Sequence, residues 1–374
     1  MGVGRQYPDT DIVIRGDATV AAAAIAGGAS LSDIPGISYR NQGRVVENAD
    51  RSPLAEPDAL PFPARDLTRN ALYIRPDTGR PQTTIQAGWG CPFSCTYCLA
   101  PLVSGRRLKL RSPASIVAEI EECLCDHGIR DFYFRADTFT LQKSWVMELC
   151  TSLVQRGLDV AWGCNSRVDT VDAEMLAAMR RAGCWIVGFG VESGSDEILA
   201  RIKKGATVDQ ARRAIHLCCA AGIRAYAFFM VGFPGETEVT ARATLDLIRT
   251  IGADFIEMNV PVPFPGTPLA TECERAELLA ASLLGHDHSR PVIRPHAMSR
   301  RRVEEIWRLG YRAFYARPGH AWHLLRQAGS LHTATRYLTW GVGFFARVIH
   351  HRLTRLTPQV PTRRRTTRSH GSPR

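Results

Sequence analysis

The sequence predicts an α/β fold: an open, partial (β/α)6 barrel with a small α/β piece before it and helices after it. Three observations predict this. From residue 83 to 270, short apolar or β-branched segments alternate with segments of helical periodicity. Each interval between strands has room for one helix, the pattern of parallel strands joined by crossovers. Six such units occur, fewer than the eight that close a barrel.

The elements follow in order. DIVIRGD reads as a short strand, and ATVAAAAIAGG as a helix stopped by Gly27 and Gly28. GISYRNQGRVVEN reads as a hairpin turning at Asn41-Gln42-Gly43. Residues 52–66 contain four prolines and read as a linker. The barrel strands are expected at 83–89, 131–136, 160–166, 185–192, 224–232 and 254–262. Helices are expected to start near Ser112-Pro113, Lys143, Asp172, Ser195, Thr207 and Thr237. The expected organisation is a remnant-like piece (1–50), a linker (51–80), a core (81–275), a C-terminal helical region (276–355) and a disordered basic tail (356–374).

The 374 residues are 45% apolar and 22% charged, which is ordinary globular composition and enough chain for a core without disulfide staples. The N-terminus lacks a charged-then-apolar leader pattern, and no apolar run of about eighteen residues occurs. A cytoplasmic protein with reduced thiols is the expectation. The net charge of +11 is uneven, with an arginine-rich, acid-free stretch at 361–374. Aromatic residues alternate with Arg and His from 311 to 352. Peripheral contact with an anionic membrane surface and packing on the main domain are both open for that segment. Nucleic acid is not favoured as a partner, because the charge is not interleaved with stacking aromatics in the barrel.

GWGCPFSCTYC (88–98) carries the chemistry: Cys91, Cys95 and Cys98 lie in C-x-x-x-C-x-x-C spacing just after the first barrel strand. Gly88, Gly90 and Pro92 favour a loop, and functional groups of such folds sit at the C-terminal strand ends. Structural zinc would call for a second cysteine pair. Cys123 with Cys125, and Cys218 with Cys219, fall on helices where near neighbours do not face one way, so they read as packing residues. Three thiolates with an open fourth position suit a cluster that binds a ligand.

Three cysteines in this spacing after the first strand of a βα repeat resemble the radical S-adenosylmethionine superfamily. The resemblance covers roughly residues 83–270. It implies that Cys91, Cys95 and Cys98 hold a [4Fe–4S] cluster whose fourth iron chelates S-adenosylmethionine. It further implies that Tyr97 lies near adenine, and that Asp137 in FYFRADTFT binds the methionyl amino group. Arg167 in NSRVDTVD would meet the methionyl carboxylate as a charged fork, and Glu192 in GFGVESGSDEIL would reach the ribose or methionine moiety. For Asp137 the alternative is a turn or helix cap, and for Arg167 a structural ion pair. FMVGFPGET and VPVPFPGTPL would wall adenine and substrate. The implied activity is reductive cleavage of S-adenosylmethionine to a 5′-deoxyadenosyl radical, which abstracts hydrogen from a small organic substrate. A flavodoxin- or ferredoxin-type electron donor is implied as partner. The outcome, whether dehydration, decarboxylation, epimerisation or rearrangement, is open.

VESGSDEIL, VGFPGET, ARDL, DTFT and FYARP resemble the branch that carries an N-terminal cobalamin-binding domain. PDTDIVIRGDAT and IPGISYRNQGRVVEN resemble the last strand, helix and exit hairpin of that domain, here truncated. The Asp-x-His-x-x-Gly signature is missing, no histidine occurs in the first 126 residues, and Asp17 stands where relatives have Glu. Direct use of the radical is therefore preferred. A cobalamin-dependent C-methyltransferase and an RNA-modifying iron–sulfur protein are the alternatives. Tyr226, Phe228, Glu257 and Asn259 alternate on the last two strands, with their inward or outward phase open.

Overall fold

The computed structural model describes residues 9–16, 18–50, 56–279, 288, 290–326, 328, 330 and 332–339. Asp17 and all of 340–374, the basic tail included, lie outside the described residues.

The small first sheet is β1 (Ile12–Ile14), α1 (Thr19–Ala26), β2 (Ile37–Asn41) and β3 (Arg44–Glu47), with antiparallel order β1-β2-β3. Gln42 (φ 48°) and Gly43 (φ 77°) make the two-residue turn with both φ positive that a right-twisted hairpin favours. Ala21, Ile34 and Ile37 form its own apolar centre.

The barrel alternates as expected. In chain order come β4 (Gln82–Gln86), β5 (Gly88–Trp89), α2 (Ala100–Val103), β6 (Lys109–Leu110), α3 (Pro113–His127), β7 (Asp131–Arg135), α4 (Lys143–Gln155), β8 (Ala161–Arg167), α5 (Ala173–Arg181) and β9 (Cys184–Glu192). Then follow α6 (Asp196–Arg201), α7 (Val208–Ala220), β10 (Arg224–Met230), α8 (Glu238–Thr250), β11 (Phe255–Asn259), α9 (Pro268–Arg275), α10 (Arg300–Tyr315) and α11 (Pro318–Arg326). The strand order β4-β7-β8-β9-β10-β11 is parallel throughout and follows the chain. Among the described residues no ladder joins β4 to β11, so the barrel is open.

Local chemistry starts the helices where expected. The Ser112 side chain accepts from Ser115 N–H ahead of Pro113, and Asp172 accepts from Met175 N–H. Thr207 and Gln210 form a reciprocal capping box. Strand ends differ from expectation by up to three residues, most at β11, expected at 254–262 and found at Phe255–Asn259, and the segment 83–89 splits at Ala87. Its last two residues leave the parallel sheet to pair with β6, antiparallel, Gly88 with Leu110 and Trp89 with Lys109. The C-terminal region also differs, because described residues 276–299 are not helical and join through a Leu279–Ile293 bridge.

The strands bury one face against the helices. Ile85, Phe132, Phe134, Trp162, Val187, Phe189, Ala227, Phe229 and Ile256 are buried there, and Trp162 donates Nε1–H to the Ala182 carbonyl at 2.7 Å. The alternate residues face the barrel interior. α10 covers the free edge of β11. The Trp307 indole donates to Met258 O at 2.7 Å, and Tyr311 OH accepts from Met258 N at 3.1 Å. Tyr315 OH accepts from Ile256 N at 3.0 Å and donates to Ile256 O at 2.9 Å. Packing therefore accounts for the aromatic residues at 311–315; most of 331–357, where membrane contact was also open, lies outside the described residues. No described helix is long and apolar enough to cross a membrane.

Candidate active site

The cysteine loop is an excursion between β5 and β6 at the C-terminal end of β4. Gly90 opens it at φ 90°, where a Cβ would stand 2.1 Å from Arg107 O, so only glycine fits. Cys91 N–H donates to Gly105 O at 3.0 Å and closes the base. Further along, Thr96 N–H donates to Ile202 O at 2.9 Å, and Leu269 N–H donates to Thr96 O at 3.0 Å. The loop is thereby tied to the end of α6 and the start of α9.

All eleven cysteines are free thiols. Cys91 and Cys95 are buried and Cys98 is half-buried. Burial pushes the Cys95 thiol up, while the charges of Lys204 and Arg167 pull it down. Burial likewise raises Cys98. The Ala100 N–H, 3.4 Å from its sulfur, opposes this, and the neighbouring Cys95 and Cys91 add to it. The three sulfurs are thus within electrostatic reach of one another, on a loop with two cations nearby. Among the described residues no three side chains converge as ligands of a single metal ion. A cubane cluster binds each thiolate to a different iron, so it requires no common point. Three free thiols beside Arg167 and Lys204 fit such an anionic group. Of the other cysteines, Cys123 and Cys218 are core residues, but Cys125 and Cys219 are exposed, against the expectation that all four pack.

The predicted binding residues surround this loop. Asp137, just beyond β7, accepts the Gly90 N–H on Oδ2 at 2.7 Å, so that oxygen tethers the cysteine loop. Next to it, Thr138 Oγ1 lies 3.8 Å from Cys91 Sγ. At the end of β8, Arg167 has its fork engaged by Asp169, Nε to Oδ1 at 2.8 Å and Nη2 to Oδ2 at 2.9 Å. Nη2 also donates to Lys204 O at 2.5 Å, and the guanidinium stacks 3.6 Å from the centre of the Phe93 ring. Nη1 points at Cys95 Sγ, 3.8 Å away. The fork that was expected to take a methionyl carboxylate is committed to Asp169, because a carboxylate two residues on matches its planar geometry.

Glu192 ends β9 with φ 69°, a left-handed conformation costly for a glutamate, at a register shift against β10. Its Oε1 is 2.7 Å from Lys204 Nζ, and both side chains are buried. Gly190 makes the room: a Cβ there would stand 2.5 Å from Glu192 Oε1 and 2.7 Å from Lys204 Nζ. Tyr97 packs on Phe233 with ring centres 5.6 Å apart. Burial, then the adjacent Glu192 carboxylate, raise its phenol well above the usual range. Sequence reasoning did not single out Lys204, Asp169, Phe93 or Thr138. Only Asp169, two residues from Arg167, carried a local signal.

Residues 86–248 match the model of the radical SAM superfamily. An uncharacterized methyltransferase of Pyrococcus horikoshii is 31% identical over 84% of this chain and 69% of its own length. The anaerobic magnesium-protoporphyrin IX monomethyl ester cyclase of Rubrivivax gelatinosus is 27% identical over 83% of this chain, which spans only 57% of that protein. Among solved structures, the radical S-adenosylmethionine methyltransferase TsrM from Kitasatospora setae, with tryptophan substrate and the analogue aza-SAM bound, superposes with a TM-score of 0.63 at 20% identity, covering 84% of this chain and 69% of that one. TsrM is also known with cobalamin and a [4Fe–4S] cluster bound. At that identity the likeness is one of fold, and it is the relationship to the Pyrococcus protein, together with the matched core, that establishes that this chain belongs to the radical S-adenosylmethionine superfamily of enzymes, which use a [4Fe–4S] cluster and S-adenosylmethionine.

Proposed function

We propose that Cys91, Cys95 and Cys98 hold the cluster and that the enzyme acts by hydrogen abstraction on a small organic substrate in biosynthesis. When bound, the cluster supplies the electron that cleaves S-adenosylmethionine to the 5′-deoxyadenosyl radical. The observation that carries this reading is the trio of free thiols at the first strand end, with Arg167 and Lys204 beside Cys95.

In this reading Asp137 and Arg167 are positioning residues. Asp137 holds the loop at Gly90, and Arg167 holds it at Phe93 while turning one N–H toward Cys95. Glu192 and Lys204 form the charged wall for the amino and carboxylate groups of S-adenosylmethionine. The pair is buried, and either member can exchange its partner for a ligand group of the same charge. Tyr97 and Phe233 wall the adenine side. A flavodoxin- or ferredoxin-type protein is the electron donor. Anaerobic reconstitution with iron, sulfide, dithionite and S-adenosylmethionine should release 5′-deoxyadenosine, and Cys95→Ala should reduce release to background. No release from the wild type, or equal release from the variant, would overturn the reading.

A second reading is cobalamin-dependent methyl transfer to carbon. It is favoured by the methyltransferase name of the Pyrococcus relative and by the cobalamin bound in TsrM. Added methylcobalamin and S-adenosylmethionine labelled in its methyl group separate the two. A labelled, methylated product formed only with cobalamin supports the second reading.

A further inference from the structure

The ladders settle which residues face the barrel interior. Outward residues are packed under helices, so their neighbours point in: Thr84 and Gln86 on β4, Tyr133 and Arg135 on β7, Asn165 on β8, Tyr226 and Phe228 on β10, Glu257 and Asn259 on β11. These inward residues are half-buried or exposed, in contrast to the buried outward face. The lining is polar on both sides of the opening. Between the two sides, the inward positions of β8 and β9 include Gly163, Gly188 and Gly190. A Cβ on Gly188 would meet Asn165 Oδ1 at 2.4 Å and the Phe228 ring at 2.8 Å, so the glycine lets both side chains lie close over the sheet.

Among the described residues, two opposite charges on this lining have no charged partner. Glu257 accepts from Tyr226 OH at 2.9 Å and from Asn259 Nδ2 at 3.1 Å, both neutral donors. Burial first, and the Glu257 charge as a smaller contribution, raise the Tyr133 phenol on β7. Arg135 is exposed, and among the described residues no ion pair or side-chain hydrogen bond engages its guanidinium. The register puts the two in adjacent inward layers, with β8, β9 and β10 between their strands. Asn165, next after the Cys164 that pairs with Phe134, is level with Gly188 and Tyr226; Glu257 is level with Phe228, one inward position further. Several buried charges elsewhere are paired: Arg75 with Asp77 and Asp131, Arg65 and Arg111 with Glu119, Lys204 with Glu192. A carboxylate held by neutral donors and, among the described residues, a guanidinium with no ion pair, both lining one interior, suit a ligand that carries both signs.

We propose that the barrel interior binds a small zwitterionic substrate, with its cationic nitrogen at Glu257 and its carboxylate or phosphate at Arg135. The proposal rests on the reading of the chain as an S-adenosylmethionine-cleaving enzyme and adds the substrate class. The test uses the reconstituted full-length protein, saturated with S-adenosylmethionine so that its own site is filled. It is titrated by calorimetry with the twenty common amino acids, phosphoethanolamine and phosphocholine. N-acetyl and methyl-ester forms of any binder follow, since each removes one charge. At least one zwitterion should bind. Its single-charge derivatives, and the Glu257→Gln and Arg135→Gln variants, should bind at least about ten-fold more weakly. Arg135→Lys, which keeps the charge, should lose less. Iron and sulfide content confirm that the variants are loaded. Binding by no zwitterion, equal binding by single-charge derivatives, or unchanged affinity in both variants overturns the proposal. Absence of 5′-deoxyadenosine from the wild type is a separate failure, of the underlying reading.

Discussion

At the scale of single residues, the site depends on charges placed out of water. Glu236 is fully buried in the turn after β10. Its Oε2 accepts from Gly232 and Phe233 N–H, and its Oε1 has no partner among the described residues. Burial pushes this carboxyl up to about 7, against the pull of those two N–H groups. The unfolded chain releases the proton at an ordinary carboxylate pKa, so above that point the unfolded state binds fewer protons than the native state. Stability therefore falls as pH rises from about 4.5 toward 7, by on the order of 3 kcal/mol. Glu236→Gln should flatten that slope in denaturant titrations at several pH values; an unchanged slope would refute it. Lys204→Met leaves Glu192 buried without its partner and should cost about 3–5 kcal/mol. The double variant with Glu192→Gln should recover much of that loss, and a double variant as unstable as the single one would contradict a paired role.

At the scale of elements, the exposed edge of β11 is the weak point of an open sheet. α10 closes it with side chains instead of a strand, using Trp307, Tyr311 and Tyr315 on the backbone of Ile256 and Met258. Tyr315→Phe leaves both Ile256 backbone groups unpaired by α10 and should lower stability by about 1–3 kcal/mol. Equal unfolding midpoints for variant and wild type would show that solvent replaces the phenol. The alternation of strands and helices was legible because outward strand positions such as Phe132, Phe134, Val187 and Phe229 are apolar and the helix caps are local. Lys204 was not legible, because its partner Glu192 meets it only after β9 ends and the chain passes through α6. The inward phase of Tyr226 and Glu257 was equally hidden, since alternation gives two phases and only the packed helices choose between them.

At the scale of the whole molecule, the cysteine loop is an appendage on a core that closes without it. The six strands and their helices bury the main apolar cluster, whereas the loop is held by backbone hydrogen bonds and by Asp137 and Arg167. Removing iron with a chelator should therefore leave the far-ultraviolet circular dichroism nearly unchanged while lowering the melting temperature, because a ligand bound to the native state stabilises it by mass action. A large loss of helical signal would mean that the cluster organises the barrel itself.

The amino-acid order alone determined the six βα units, the helix starts and the three-thiol motif, because each is written in neighbouring residues: alternation, caps, glycine turns and cysteine spacing. The tertiary structure alone decided what the charged residues do. Arg167 turns its fork to Asp169, Asp137 tethers Gly90, Lys204 joins Glu192, and Arg135 and Glu257 face a common interior. Apart from the Arg167–Asp169 pair, whose members are two residues apart, those placements depend on which strand ends the barrel curvature brings together, and no local pattern in the chain encodes that.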